Sequence, residues 1–309
     1  MTDVIEVGRW PKAVAAGAEG VWVALLPNGP CGSEVVEVDP QTSEVSTRIP
    51  IDAWVQDIAA GWGAVWVIGS GCDGGSFLYR IDPGQDEVVA TVVIGDYLAD
   101  VVVDEDTGVW ITRDLNSRTG EVLRIDPSNN RLVARIPLDG RLRSIAAGEG
   151  AVWVSDTLGN LPLIHIDPAS DRVVSTTPGL AGDLVAVGDG VVWAPMWLSA
   201  LDPSVGTGSD DRSLAVAIDP LTDEVVGEPI DVSTVFRPVA VVDGIVWFLG
   251  GPYSPRGICP LDPDTGAIGR CANPGEIADP LPWPVTFDEA TSTIWVANQR
   301  STITRIDIG

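Results

Sequence analysis

A tryptophan recurs seven times along the chain, each time in a short segment of β-branched or small residues. An aspartate follows each tryptophan, usually within Ile-Asp-Pro, and successive aspartates lie 43, 44, 41, 52, 43 and 45 residues apart. The tryptophans are Trp22, Trp66, Trp110, Trp153, Trp193, Trp247 and Trp295, and the aspartates are Asp39, Asp82, Asp126, Asp167, Asp219, Asp262 and Asp307. A repeat of this length indicates one structural unit that is copied along the whole chain.

The unit around Trp153 indicates which structure is repeated. Four short segments of small, β-branched or aromatic residues favour strands, at 144–147, 151–154, 163–166 and 173–176. Asp167-Pro168 after the third segment is typical of a type I turn. No useful length of the chain has helical periodicity. Because four short strands in about 43 residues match one propeller blade, we predict an all-β, seven-bladed β-propeller with four antiparallel strands per blade.

The two ends of the chain predict how the ring closes. The last unit has a third strand at 302–308 and then the sequence stops, whereas a lone strand at 4–7 precedes the first inner strand. We expect this N-terminal strand to complete the last blade, which would remove an exposed sheet edge. Residues 1–309 would then form a single propeller domain with the repeated tryptophans packed between its blades.

The charge and hydropathy of the chain limit its partners. There are 44 acidic residues against 18 lysines and arginines, a net charge of −26. Such a surface repels phosphate backbones and anionic lipid, so we expect no nucleic acid and no membrane partner. No apolar stretch approaches the roughly 18 residues that a membrane span needs. A small-molecule or protein ligand and a monomeric state are the expectations that remain.

The four cysteines predict two disulfides. Cys259 and Cys271 flank a tight turn, and counting outward from that turn places them opposite each other. Cys31 and Cys72 lie in equivalent loops of the first two units. Two bridges favour an extracellular or exported protein whose leader is absent from this chain. Four unpaired thiols in a reducing cytoplasm are the alternative.

Candidate ligand contacts lie on one face of the propeller. We use "top face" for the face formed by the loops from outer to inner strand and from second to third strand. Residues that begin the inner strands vary in type: Lys12, Gln56, Ala99, Arg143, Asp183, Val239 and Trp283. Residues three after each repeated tryptophan vary too: Leu25, Gly69, Arg113, Asp156, Met196, Gly250 and Asn298. Such variation suits a binding site, although loop drift produces the same pattern. Lys12, Arg113 and Arg143 are predicted ligand contacts, and Asp156 with Asp183 is a candidate pair of catalytic carboxylates.

Two enlarged loops on the top face suggest a pocket. They span 196–213 and 272–284 and carry Trp197 and Trp283. The blade between them adds further aromatic and cationic residues, namely Phe236, Arg237, Tyr253 and Arg256. Aromatic rings beside arginines in an acidic protein predict stacking and anion binding. The alternative is that these residues anchor long loops at the surface.

The repeat resembles a known group of propellers. Residues 148–154, followed by Ile166-Asp167-Pro168, resemble the repeat of bacterial YVTN-type propellers and of the streptogramin (virginiamycin B) lyase family. The lyase resemblance implies a magnesium-dependent, ring-opening elimination that uses a histidine at an inner-strand start and a glutamate after the repeated aromatic. Corresponding positions here hold Val239 with Gly250, and Trp283 with Asn298.

The sequence favours a binding module over an enzyme. It has no nucleophile elbow and no phosphate-binding loop, and its only histidine, His165, is placed on a third strand. We therefore predict a non-catalytic propeller that binds a ligand or a protein through its top-face loops, with no cofactor. The alternative is a metal-assisted lyase or hydrolase with carboxylates and a divalent cation at the channel mouth.

Overall fold

The computed structural model describes residues 2–17, 20–27, 29–95, 97–116, 118–142, 144–155, 162–180, 185–197, 213–232, 236–250, 257–273, 284–298 and 301–308. Its strands form seven sheets of four antiparallel strands, and the residues described above include no helix. The predicted seven-bladed β-propeller is confirmed. No helix long and apolar enough to cross a membrane occurs among these residues.

The chain divides into two compact units, of which the first comprises residues 1–115, 121–135 and 274–309. It holds the blade built from both termini, blades 1 and 2, and most of blade 3. The terminal blade consists of β26 (Val285–Asp288), β27 (Thr293–Ala297), β28 (Thr302–Asp307) and β1 (Thr2–Glu6). Blade 1 consists of β2 (Pro11–Gly17), β3 (Gly20–Leu25), β4 (Ser33–Val38) and β5 (Val45–Ile51). Blade 2 consists of β6 (Ala53–Gly61), β7 (Ala64–Gly71), β8 (Ser76–Asp82) and β9 (Glu87–Val93). Blade 3 consists of β10 (Leu98–Asp104), β11 (Gly108–Asn116), β12 (Thr119–Asp126) and β13 (Arg131–Asp139).

The second unit comprises residues 116–120 and 136–273 and holds blades 4 to 6. Blade 4 consists of β14 (Ser144–Gly148), β15 (Ala151–Ser155), β16 (Leu163–Asp167) and β17 (Arg172–Thr177). Blade 5 consists of β18 (Ala186–Gly188), β19 (Val191–Trp197), β20 (Ser213–Ile218) and β21 (Val225–Asp231). Blade 6 consists of β22 (Phe236–Val242), β23 (Ile245–Gly250), β24 (Gly257–Asp262) and β25 (Ala267–Ile268).

The termini close the terminal blade as predicted. Strand β1 pairs antiparallel with β28, from Thr2 opposite Ile306 to Glu6 opposite Thr302. The N-terminal strand therefore occupies the outer position that the last repeat lacks.

The repeated tryptophans form a recurring contact within the blades. Six of the seven are buried, and Trp247 is half-buried. An arginine on the third strand lies over the ring in three blades, with its Cζ 5.2 Å from the centroid of Trp66, 5.2 Å from that of Trp110 and 5.8 Å from that of Trp295. The partners are Arg80, Arg124 and Arg305. Each pair buries a large apolar ring and places a cation over its electron-rich face.

The same third-strand side chains connect neighbouring blades. Arg80 donates to the carbonyl of Pro127 at 2.8 Å, in the turn between the third and fourth strands of blade 3. In blade 4 His165 takes the place of the arginine: it stacks on Trp153 with ring centroids 4.5 Å apart, and its Nδ1 lies 2.7 Å from Oδ1 of Asp223 in blade 5. This geometry fits a structural role for the histidine.

The aspartates of the repeated turns cap them as the sequence predicts. Oδ1 of Asp39, for example, accepts hydrogen bonds from the backbone nitrogens of Gln41 and Thr42 at 2.7 and 3.2 Å. Hydrogen bonds from side chains and backbone nitrogens of the turn hold the pKa of five turn aspartates below its ordinary value, and a side-chain donor has the largest effect in all but Asp39: Asp39, Asp82, Asp126, Asp167 and Asp262. The repeated aspartate therefore stabilises the turn in its ionised form.

Both predicted disulfides are formed, Cys31 to Cys72 and Cys259 to Cys271. The second lies beyond the two-residue strand β25, next to a backbone bridge between Ala272 and Ile258. Cys31 and Cys72 join the loops between the second and third strands of blades 1 and 2. This bridge lies on the top face.

Candidate ligand-binding face

A β-bulge occurs near the start of four inner strands. In β2 the pairing register shifts between Pro11 and Ala13, which leaves Lys12 as the extra residue. Equivalent shifts make Gln56 the extra residue of β6, Ala99 that of β10 and Val239 that of β22. These are the variable inner-strand positions identified from the sequence. A bulge re-aims a side chain at the end of a strand, which is why bulges are frequent beside binding and active sites.

Two residues before each bulge of blades 1 to 3 stands an exposed aromatic side chain. Trp10, Trp54 and Tyr97 are 54%, 43% and 68% exposed. They lie on neighbouring blades, because β6 packs against both β2 and β10. We call these three residues the aromatic rim. Three large aromatic side chains at equivalent positions of consecutive blades are a candidate contact surface.

The backbone holds two of these rings outward at a conformational cost. Trp10 and Tyr97 have φ values of 58° and 63°, in the left-handed region that bulky residues avoid. In both blades the strained residue's carbonyl is tied to the end of the second strand: Leu26 N donates to Trp10 O, and Asp114 N donates to Tyr97 O, each at 3.0 Å. These fixed contacts retain the strained conformation of both residues.

Trp54 is positioned by the disulfide-linked loops. Its Nε1 donates to the carbonyl of Pro30 at 3.0 Å, next to the Cys31–Cys72 bridge. A Cβ on Gly69 would lie 2.8 Å from the carbonyl oxygen of Trp54, so the glycine permits the close approach of β7. The indole is therefore fixed at its polar edge while its apolar surface stays open to solvent. A group held in this way loses little conformational freedom on binding.

A pair of carboxyl groups follows the bulges of blades 2 and 3. Asp57 is hydrogen-bonded to Asp100, and the backbone nitrogen of Val101 donates to both, at 3.1 Å to Asp57 Oδ2 and 2.9 Å to Asp100 Oδ1. Burial raises the pKa of Asp57, against the lowering effect of these hydrogen bonds and of the charge on Lys12. Two carboxyl groups this close repel each other when both are ionised.

Three of the predicted ligand contacts have side chains that the structure describes. Lys12 is exposed beside the aromatic rim. The Nε of Arg113 lies 2.5 Å from Oε1 of the buried Glu121, which also lies 2.7 Å from Nη1 of Arg135. Arg237 in β22 is half-buried and lies opposite Leu249 in β23.

Two of the other predicted positions lie in strands, and the remaining six lie outside the described residues. Trp197 and Phe236 occupy the end of β19 and the start of β22. Outside the described residues lie Arg143, Asp156, Asp183, Tyr253, Arg256 and Trp283. The pocket predicted at the enlarged loops 196–213 and 272–284 and the Asp156–Asp183 pair therefore stay predictions.

Sequence reasoning missed the aromatic rim and the Asp57–Asp100 pair. The available signal was alignment of the repeats at the inner-strand start. It places Trp10, Trp54 and Tyr97 two residues before the variable position, and Asp57 and Asp100 one residue after it. The sequence prediction instead placed the site at the enlarged loops 196–213 and 272–284.

Within the described ranges, no three histidine, cysteine, aspartate or glutamate side chains are grouped closely enough to hold a metal ion.

The fold and this face define a β-propeller with a candidate binding surface, and comparison with solved structures supports the fold. Hydrazine synthase from Kuenenia stuttgartiensis superposes with a TM-score of 0.72 at 14% identity, over 98% of this chain and 96% of that one. The WD40 domain of Neurospora crassa Pan2 superposes at 0.72 with 9% identity, over 96% and 88% of the two chains. The propeller domain of Doa1 superposes at 0.66 with 12% identity, over 99% and 96%. No protein-family model matches the sequence, and no curated protein matches it. These comparisons show the propeller fold, and they do not show the YVTN-type or streptogramin lyase family.

Proposed function

We propose that this protein is a non-catalytic binding propeller that takes its ligand on the aromatic rim. The observation that carries the proposal is the exposure of Trp10, Trp54 and Tyr97 at equivalent positions of three consecutive blades. Tryptophan and tyrosine supply large contact areas with few rotatable bonds, and they dominate the energetics of binding surfaces. The Cys31–Cys72 bridge and the Trp54–Pro30 hydrogen bond support the proposal, because they preorganise the face.

The test uses protein labelled with 5-fluorotryptophan and observed by fluorine NMR. Spectra of Trp10→Phe and Trp54→Phe identify the two rim resonances, and Trp62→Phe identifies a control. Trp62 is also exposed, but it lies in the hairpin turn at the opposite end of β6. Peptides, oligosaccharides and metabolites are then screened. We expect ligands to shift the Trp10 and Trp54 resonances and to leave that of Trp62 in place.

Two results would count against a binding site on this rim. One is a set of ligands that shift only resonances of other tryptophans, which would move the site elsewhere on the propeller. The other is a ligand whose affinity is unchanged in the triple variant Trp10→Ala/Trp54→Ala/Tyr97→Ala.

A carboxylate-based lyase or hydrolase is the second candidate function. It is favoured by the Asp57–Asp100 pair, since burial raises the pKa of Asp57 and paired carboxyl groups can serve as acid and base. An enzyme of this kind would lose turnover in Asp57→Asn and in Asp100→Asn, while a binding propeller would have no turnover to lose. Adding magnesium to the fluorine NMR sample tests the proposed divalent cation: Trp54 lies three residues from Asp57 and should respond to it.

We also propose that the protein functions in an oxidising, extracellular or exported setting. Support comes from the two disulfides. Mass spectrometry of non-reduced peptides from protein isolated from its native source tests this: free thiols at Cys31 and Cys72 would favour the cytoplasm.

A further inference from the structure

We propose that the aromatic rim recognises a cationic segment of a partner protein, in which arginine or lysine side chains lie over Trp54 and Tyr97. This inference rests on the proposed binding function and adds the chemical class of the ligand. It is built from the charge of the chain, from the way its own tryptophans are used, and from the acidic groups around the rim.

Charge complementarity selects the sign of the ligand. The net charge of −26 attracts cationic partners over long range and repels anionic ones. Acidic side chains also accompany the rim locally. Asp52, two residues before Trp54, and Asp73, next to Cys72, are both exposed.

The chain's own tryptophans provide the stacking mode. Arginine guanidinium groups lie over Trp66, Trp110 and Trp295 at 5.2 to 5.8 Å from the ring centroids. All three rings belong to the buried repeat. Among the described residues, no such pair involves Trp54 or Tyr97. A ligand arginine over an exposed ring would form the contact that the core forms internally, next to carboxylates that favour its charge.

The Asp57–Asp100 pair provides a second feature for the same ligand. The two carboxyl groups follow the bulges of blades 2 and 3, the blades that carry Trp54 and Tyr97. A cationic donor that reaches the two carboxyl groups can hydrogen-bond to both and relieve the repulsion between them. Lys12 and Arg9 are exposed at the blade 1 end of the rim, so the cations of the ligand belong over blades 2 and 3. Trp10 then contacts the apolar parts of the segment.

The test compares two short peptides that differ only in charge. One alternates arginine with glycine, and the other has citrulline in place of every arginine, which retains the planar group and removes the charge. Binding is measured at physiological ionic strength by fluorine NMR and calorimetry. A peptide that alternates glutamate with glycine and the neutral oligosaccharide cellohexaose complete the set.

We expect the arginine peptide to shift the Trp54 resonance and to bind at least about tenfold more tightly than the citrulline peptide. Trp54→Ala and Tyr97→Ala should each weaken it by about three- to thirtyfold, which is the range of a cation–π contact. Trp62→Ala should leave its affinity unchanged. Lys12→Glu should strengthen binding by about two- to fivefold, because it replaces a repelling charge by an attracting one.

Other outcomes overturn the inference, and they separate it from the proposed function. Equal affinity for both peptides, or stronger binding of cellohexaose with shifts at Trp10 and Trp54, refutes a cationic ligand but retains the rim as a binding face. Equal weakening by Trp54→Ala and Trp62→Ala, or by neither, means that the arginine peptide responds only to overall charge. If no probe shifts Trp10 or Trp54 and the screening ligands bind the triple rim variant normally, both proposals fail.

Discussion

Two tryptophans of blade 2 differ completely in how the fold uses them. Trp66 lies on the second strand, is fully buried, and has the guanidinium of Arg80 over its ring. Trp54 lies on the inner strand, is 43% exposed, and is held through its Nε1 by the carbonyl of Pro30. A tryptophan equivalent to Trp66 occurs in every repeat. Among the described residues, only blades 1 and 3 carry an exposed aromatic side chain equivalent to Trp54. Repetition therefore accompanies packing, and departure from it accompanies the candidate binding face.

Replacing the repeated tryptophan should have the largest effect on stability. Trp66→Ala removes a fully buried ring and leaves a cavity that the surrounding strands fill only partly. We expect a loss of about 3–5 kcal/mol in the free energy of unfolding, measured by chemical denaturation. A loss below about 1 kcal/mol would remove the distinction between Trp66 and Trp54.

Removing the top-face disulfide tests whether the rim is preorganised. Cys31→Ser/Cys72→Ser opens a link between residues 41 apart, and we expect it to cost about 2–4 kcal/mol of stability and to weaken ligand binding. Cys259→Ser/Cys271→Ser is the matched control. It opens a link of only 12 residues in blade 6, a blade that carries no rim residue, and should cost less stability and leave binding intact. Equal effects of both pairs on binding would contradict a local role for the first bridge.

The contact between blades 2 and 3 can be weakened without removing a tryptophan. Arg80→Met keeps apolar contact with Trp66 but loses the cation and the hydrogen bond to the Pro127 carbonyl. We expect a loss of about 1–3 kcal/mol in unfolding free energy and no change in the fluorine resonance of Trp54. A shifted Trp54 signal would mean that the core contact and the rim are coupled.

The pH dependence of Asp57 should be opposite to that of the turn aspartates. Because burial raises the pKa of Asp57 above its ordinary value of 3.8, its charged form is disfavoured by folding, and this penalty is absent below pH 3.8 and grows as the pH rises through the folded pKa. The free energy of unfolding of Asp57→Asn, relative to that of wild type, should therefore be higher at neutral pH than in acid. The lowered pKa of Asp82 gives the reverse: its contribution is present above pH 3.8 and is lost as the pH falls through the folded value, so Asp82→Asn should be destabilising at neutral pH only. Unfolding measured across this range decides both.

The smallest expected change in stability is that of the rim itself. Trp54→Ala should cost no more than about 1 kcal/mol, since it removes a half-exposed ring and one hydrogen bond. The same variant should lose ligand affinity, which separates its role from that of Trp66. Unfolding of Trp54→Ala would place this ring in the core and remove the basis of the binding proposal.

Part of the candidate site was accessible to sequence reasoning. Lys12, Gln56 and Ala99 were identified by their place at the inner-strand start, and the structure makes each of them a bulge. Arg113 was predicted as a ligand contact because of its charge, but its nearest partner is the buried Glu121. The spacing of these two residues along the chain does not indicate the contact. Spacing along the chain reveals equivalence between repeats, but it does not reveal which side chains across a sheet neutralise each other.

The blade count, the four-strand unit and the capped turns follow from the sequence alone, which also predicts both disulfides. Each rests on local patterns that recur: a tryptophan in a β-branched strand, an aspartate before proline, and cysteines at equivalent loops. The exposure of Trp54, the burial of Trp66 and the contact of Asp57 with Asp100 across two blades are visible only in the folded protein. Burial and contacts of this kind depend on which surfaces neighbouring blades bring together, whereas strand and turn formation depends on residues close in sequence.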